Sequence, residues 1–215
     1  MKIQNECTKS SRHVERHLIR ALKWINQADL AGIAYIKLLD KIPDPSDSSQ
    51  EWHQWVKAGG YSVFGMYMRK WIGNPPHIIL YVQDIYRCIH PLYQRSPLAT
   101  LLIGYNLAHE VGHHLQVERG YIFQPSERLD QTEYREEMAD RYAFGVVKRM
   151  KGQWYYRLGQ WIMKDSARMF YYFGVQEWEK KNYGRTAEYF YRSWILDPEN
   201  KETWYWHKRA KALHN

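Results

Sequence analysis

From Arg12 to about Leu30 the apolar residues Val14, Leu18, Ala21, Leu22 and Ile25 recur at the spacing of one helix face. This predicts an amphipathic first helix of the kind that covers a sheet. The pattern then changes. GIAYIKLL (32–39) is a short apolar run that starts at glycine and is followed by IPDPSDSS, so it predicts a strand leading into a surface loop. GGYSVFGMYMRKW (59–71) and HIILYVQDIY (77–86) are rich in β-branched and aromatic residues and flank the turn signal GNPP, which predicts a hairpin.

Helical periodicity returns in RSPLATLLIGYNLAHEVGHHLQVERG. Ser96 stands where an N-cap belongs, Pro97 at the first helical position, and Gly120 where a left-handed C-terminal residue ends the helix. At 3.6 residues per turn that is a helix of about six turns. After the loop YIFQPSER, Asp130 and Glu133 have the spacing of a capping box and open a second long helix, which runs to a stop at Gly152. Beyond Gly152 every segment has helical periodicity. The expected fold class is α+β: a domain with a small sheet over residues 1–150, followed by an all-α extension over residues 151–215.

With 215 residues, 45% hydrophobic and 25% charged, the chain has ordinary globular composition and room for one core with an appendage or two small domains. Ten Trp and eighteen Tyr, half of them after residue 150, require the helical extension to pack many rings. The formal charge of +8 is spread along the chain rather than gathered into a block. With no recognition motif beside it, that pattern disfavours a nucleic-acid partner. Cys7 and Cys88 lie outside any metal-ligand or redox spacing, which points to a reducing compartment. The first twenty residues lack an apolar leader, and no run reaches the roughly 18 apolar residues that span a bilayer. The expectation is a soluble cytoplasmic protein with no membrane association.

The candidate chemistry lies in AHEVGHHLQ. His109 and His113 are one helical turn apart, so both imidazoles leave the same face and can reach one ion, with Glu110 beside them. Two imidazoles and a carboxylate from elsewhere make a three-ligand zinc site with an open position for water, whose pKa the metal lowers to about 7. Glu110 is then placed to take that water's proton as general base and pass it to a leaving amine. His114 points about 100° away from His113 and is expected to be a polar neighbour rather than a ligand.

The third ligand is sought on the helix DQTEYREEMADRYAFGVVKRM. Its apolar stripe runs through Ala139, Ala143, Val146, Val147 and Met150, and Glu136 and Asp140 continue that stripe toward the N-terminus. A buried carboxylate is costly unless it is paired or binds metal, so Glu136 is the expected third ligand. Asp140, one turn beyond, is placed to accept the remaining ring N–H of a ligand histidine and so fix its tautomer. Glu137 precedes Arg141 by four residues and reads as a solvated ion pair. One zinc ion per chain is the implied cofactor.

His-Glu-x-x-His at 109–113 followed by Glu-x-x-x-Asp at 136–140 resembles the gluzincin metallopeptidases. AHEVGHHLQ is similar to the bacterial neutral zinc metallopeptidases, and REEMADRYA to the ImmA/IrrE-like cytoplasmic proteases. The resemblance covers roughly residues 75 to 150. It implies a zincin-like domain in which His109, His113 and Glu136 bind zinc and Glu110 is the base. It also implies an edge strand before the first motif helix that holds a protein or peptide substrate by strand addition, here HIILYVQDIY. The tyrosine, histidine or arginine that stabilises the oxyanion in such enzymes has no clear counterpart; Tyr121 and Tyr142 are candidates.

In the extension, Gly174, Tyr183, Phe190 and Pro198 stand where a tetratricopeptide repeat has glycine, two aromatics and proline, and ILDPEN is similar to the repeat's ending. Thr186 and Ser193 replace its usual alanines. The resemblance implies a peptide-binding or self-associating module. Against it stands the simpler expectation that Trp161, Phe170, Phe173, Trp178, Tyr189, Trp194 and Trp204 are core at helical spacing. The rival to a general peptidase is a regulatory protease dedicated to one partner, or a non-catalytic interaction protein with a structural or vestigial zinc site. Glu110 separates these, since a structural site has no use for that carboxylate.

Overall fold

The computed structural model describes residues 1–7, 11–41, 64–70, 73–89, 91–120, 129–197 and 200–214. Among them are seven α-helices and one four-stranded sheet, an α+β protein that is mostly helical. The strands are β1 (Lys2–Asn5), β2 (Tyr35–Leu39), β3 (Gly65–Met68) and β4 (His77–Tyr81). The helices are α1 (Ser11–Leu22), α2 (Val82–Tyr86), α3 (Pro97–Glu118), α4 (Leu129–Lys151), α5 (Trp154–Glu179), α6 (Tyr183–Leu196) and α7 (Lys201–His214). The described residues divide into two compact units, one within residues 1–41 and 64–156, the other within residues 157–214. Among the described residues no helix is long and apolar enough to cross a membrane.

In the first unit the strand order is β1-β2-β4-β3, with β1, β2 and β4 parallel and β3 antiparallel to β4. Register pairs Ile36 with Ile78 and Leu38 with Leu80, and side chains alternate along a strand, so these four fully buried residues line one face. α3 packs on β3 and β4, and α1 packs on β1 and α3. From α1, the fully buried Val14, Leu18 and Ala21 face this core.

Three expectations need correction, and one strand, β1, lies where no element was expected. The first helix ends at Leu22 rather than near Leu30: Trp24 and Ile25 close three-residue turns on Ala21 and Leu22, and Asn26 caps a separate 3-10 turn, Gln27–Leu30, by accepting from the Ala28 amide. A short side-chain acceptor there offers the backbone an alternative to continued helix. The strand β1 has no local signal, since KIQN carries one apolar residue; it is strand because the β2 backbone pairs with it. The run HIILYVQDIY is strand only to Tyr81. Val82–Tyr86 is helical, its first turn held by the Gln83 amide donating to Asp40 O at 2.8 Å. Finally β4 is interior, bonded to β2 on one side and β3 on the other, so the edge strand beside α3 is β3. The expected hairpin does form between β3 and β4; residues 59–63 and 71–72 of it lie outside the described part.

In the second unit, α5 and α6 touch where Gly174 faces Phe190: a Cβ added at 174 would stand 2.9 Å from the ring. Only glycine lets the phenyl group sit against the α5 backbone. Thr186 and Ser193 are buried, and each hydroxyl donates to a main-chain carbonyl, Thr186 to Asn182 O at 2.9 Å and Ser193 to Ala167 O at 2.7 Å, the latter joining α6 to α5. α7 packs along α6 through Trp194 against Trp204 and a His207 ring N–H that donates to Ala187 O at 2.9 Å. Phe170 and Trp194 are buried as expected, but Trp161 and Phe173 are exposed. The buried stripe of α5 runs through Met163, Ala167, Phe170 and Gly174, and Trp161 lies two residues, about 200°, from Met163.

His17 of α1 is buried, with Nδ1 2.6 Å from Thr100 Oγ1 of α3. Burial, with Arg20 nearby, lowers its pKa to about 4. A histidine whose folded pKa lies below its unfolded value near 6.5 binds more protons when unfolded, so its contribution is complete above that value and is lost as pH falls toward 4. The urea midpoint is therefore expected to drop between pH 7 and pH 4, and His17→Gln should flatten that dependence; an equal slope in both proteins would exclude His17 as the cause.

Candidate metal centre

α3 is built to hold its face steady. Ser96 Oγ accepts the Leu98 amide at 3.2 Å, Pro97 opens the helix, and Gly120, at φ +88°, ends it. Nearly all of its first twelve residues are buried, so the rotation of the helix is set by packing on all sides. His109 and His113 leave one face, with their Nε2 atoms 3.0 Å apart. From α4, Glu136 closes the group: Oε2 lies 3.2 Å from His109 Nε2 and Oε1 3.5 Å from His113 Nε2. Among the described residues this is the one cluster of histidine, cysteine and carboxylate side chains with metal-binding spacing.

α3 and α4 can supply that carboxylate because their backbones touch. A Cβ at Gly112 would stand 2.7 Å from Ala139 Cα and 3.2 Å from Ala139 O. Glycine facing alanine therefore sets the approach, and Glu136 and Asp140, one turn apart on either side of Ala139, both reach α3. Glu136 is not buried as its place on the apolar stripe implied: half of its side-chain surface is open, and what positions its carboxylate is the pair of rings.

The outer nitrogens of the rings are also bonded. His109 Nδ1 donates to Asp140 Oδ1 at 2.8 Å, and the Tyr105 hydroxyl donates to the same oxygen at 2.6 Å. His113 Nδ1 faces Gln116 Oε1 at 3.4 Å, while Gln116 Nε2 donates to Arg135 O of α4 at 2.7 Å. With both Nδ1 atoms carrying hydrogen, the neutral rings turn their Nε2 lone pairs inward. Two lone pairs and a carboxylate then converge with no donor among them, which is stable only with a positive charge at their centre. A proton meets that need in part. Burial, the largest influence on His109, lowers its pKa, but Asp140 and Glu136 together raise it well above the usual histidine value. The protein atoms packed round the Glu136 carboxylate strip part of its hydration, which opposes ionisation, and the two histidines nevertheless hold its pKa well below the carboxylate range.

The donor set also suits a metal. Zinc–nitrogen and zinc–oxygen bonds of about 2.0–2.2 Å in tetrahedral geometry separate ligand atoms by roughly 3.3 Å, against the 3.0, 3.2 and 3.5 Å found here.

Glu110 is buried under the sheet edge. Gly65 of β3 makes the space: a Cβ there would lie 3.1 Å from Glu110 Oε1 and 2.9 Å from Leu80 Cδ2. Burial raises the Glu110 pKa, the two histidines and a main-chain hydrogen bond from Tyr67 lower it, and Glu136 raises it, with the net upward. His114 is not part of the cluster. It is buried and ties three elements together, donating from Nε2 to Ala31 O at 2.7 Å, with Nδ1 3.1 Å from the Tyr67 hydroxyl. Glu137 pairs with Arg141 at 2.7 Å on the exposed side. Tyr142, one oxyanion candidate, instead donates to Asp29 Oδ2 at 2.6 Å, on the far side of α4 from Asp140. Tyr121, the other, lies outside the described residues, as do the side chains of the expected capping pair Asp130 and Glu133.

From the sequence, Gln116 has no assigned role and Tyr105 counts only among the apolar positions that bury the helix, where it is indeed 4% exposed. Each is at helical spacing from a motif histidine, four before His109 and three after His113, and that spacing is the signal available for them. Comparison with protein-family models, curated proteins and solved structures finds no match for this chain.

Gly112→Ala is expected to force the two helices apart. Overpacking of this kind costs about 1–3 kcal/mol, so the variant should melt several degrees lower and bind zinc more weakly in a calorimetric titration. Unchanged melting and affinity would show that the contact does not govern the cluster.

Proposed function

We propose that this chain is a zinc-dependent peptidase of the gluzincin type. The observation that supports the reading best is the meeting of His109 Nε2, His113 Nε2 and a Glu136 oxygen beside the buried Glu110 carboxylate. The first unit is then a zincin-like domain, and the glycine-to-phenylalanine contact of α5 and α6 supports a tetratricopeptide-like second unit.

His109, His113 and Glu136 would hold the ion. When bound, zinc supplies a Lewis acid that polarises a carbonyl and brings the pKa of water to about 7. Glu110 takes a proton from the attacking water as the carbon–oxygen bond forms, and delivers it to the amine nitrogen as the carbon–nitrogen bond breaks. A carboxylate with a pKa raised by burial is matched to both halves of that task. Asp140 and Tyr105 keep His109 in the tautomer that offers Nε2, and Gln116 does the same for His113 while tying it to α4. A purely structural site would bury Glu110 to no purpose.

Substrate binding by strand addition transfers from β4, which is paired on both sides, to β3, whose outer edge no described strand occupies. The same strand donates the Tyr67 main chain to Glu110, so a peptide added there runs beside the base.

Plasma mass spectrometry of the purified protein should find about one zinc per chain in the wild type, as the three-ligand site requires, and little in Glu136→Gln. Folded wild type that neither contains zinc nor takes it up would end the peptidase reading. Glu110→Gln should keep its zinc while cleavage of a fluorogenic peptide library falls by about 100-fold or more; unimpaired cleavage would remove Glu110 from the chemistry.

A further inference from the structure

On α5, Trp161, Asp165, Arg168 and Tyr172 follow one another at spacings of four, three and four, the seam of a coiled coil. They lie on the side of the helix opposite Met163, Ala167, Phe170 and Gly174, which face the core of the second unit. All four are open to solvent. Trp161 and Tyr172 are each 66% exposed, and the side chains of Asp165 and Arg168 are 54% and 76% accessible. Single exposed rings are ordinary on a protein surface, but two large rings at heptad spacing, flanking a pair of opposite charges, form a patterned face.

We infer that this face of α5 binds the same face of a second copy of the chain, with the two helices antiparallel. The pattern is self-complementary in that orientation alone. Asp165 and Arg168 are placed symmetrically about a point between residues 166 and 167, and so are Trp161 and Tyr172. A two-fold axis through that point sets each Asp165 against the other copy's Arg168, and each Trp161 ring against the other copy's Tyr172. These are the mixed layers of an antiparallel coiled coil and the reciprocal contacts of a two-fold interface. A parallel pairing stacks Asp165 on Asp165 and Arg168 on Arg168, which like-charge repulsion forbids. Within one chain the two charges are 3.6 Å apart, so the assembled seam holds a four-charge cluster between aromatic layers. The inference rests on α5 alone and does not depend on the peptidase reading.

Sedimentation velocity of the full chain across the micromolar range tests it. Wild type is expected to dimerise. Asp165→Arg and Arg168→Asp, each of which sets like charges against one another, should weaken the dimer by about tenfold or more, as should Trp161→Ala. The double variant Asp165→Arg/Arg168→Asp restores opposite charges and should recover dimerisation. These positions are exposed, so circular dichroism should show every variant folded. A wild type that stays monomeric at the highest concentration overturns the inference. So does a dimer indifferent to the single reversals, or a double variant that does not recover.

Discussion

The backbones of α3 and α4 nearly touch because position 112 has no side chain, and beside that contact three side-chain atoms from the two helices come within 3.5 Å of one another. Ala139 fills the space a Cβ would need. What α4 adds to the two histidines follows from that contact. It brings Glu136 to the two rings, Asp140 to His109, and the Arg135 carbonyl to Gln116. Interiors are close-packed, so this contact fixes the distance between the two helices, and the two rings then hold the half-exposed Glu136 carboxylate.

The sheet performs a matching service on the other flank. Gly65 leaves room for Glu110 beneath the edge strand, and the Tyr67 main chain meets its carboxylate. His114, next to a proposed ligand and chemically identical to it, spends both ring nitrogens on Ala31 and Tyr67. Adjacent histidines on one helix thus serve opposite ends. His113 faces α4 and the Glu136 carboxylate, while His114 faces the sheet and ties α3 to β3.

The second unit solves a different problem, how three helices rich in Trp and Tyr bury enough ring surface. Gly174 admits Phe190, while Thr186 and Ser193 stay small and return their hydroxyls to carbonyls, so polar residues at positions suited to alanine remain satisfied. Arg209 lies over Trp178 and Trp206, and Lys208 over Trp204, which lets the basic residues of α7 cover rings that would otherwise be bare. Among the described residues no basic side chain lies over the rings of Trp161 and Tyr172, which are exposed on that side of α5.

Local rules read along the chain sufficed for the helices α3 and α4, the strand β2, the β3–β4 hairpin, and the placing of His109 and His113 on one face beside Glu110. Each of these depends on residues within a few positions of one another, through periodicity, capping and the one-turn rise. Asp140 was legible too, because the stripe it continues is a property of one helix; the same stripe put Glu136 on the side facing α3 but wrongly implied that it is buried. Position in the sheet was not legible. That β1 is a strand, that β4 is interior and β3 the edge, and that Val82–Tyr86 turns helical depend on partners far away in sequence. Gln116 and Tyr105 took their meaning only when α4 arrived beside them. The sequence by itself determined which side chains share a face; tertiary structure alone decided which faces meet, because contact between elements depends on packing that no local spacing encodes.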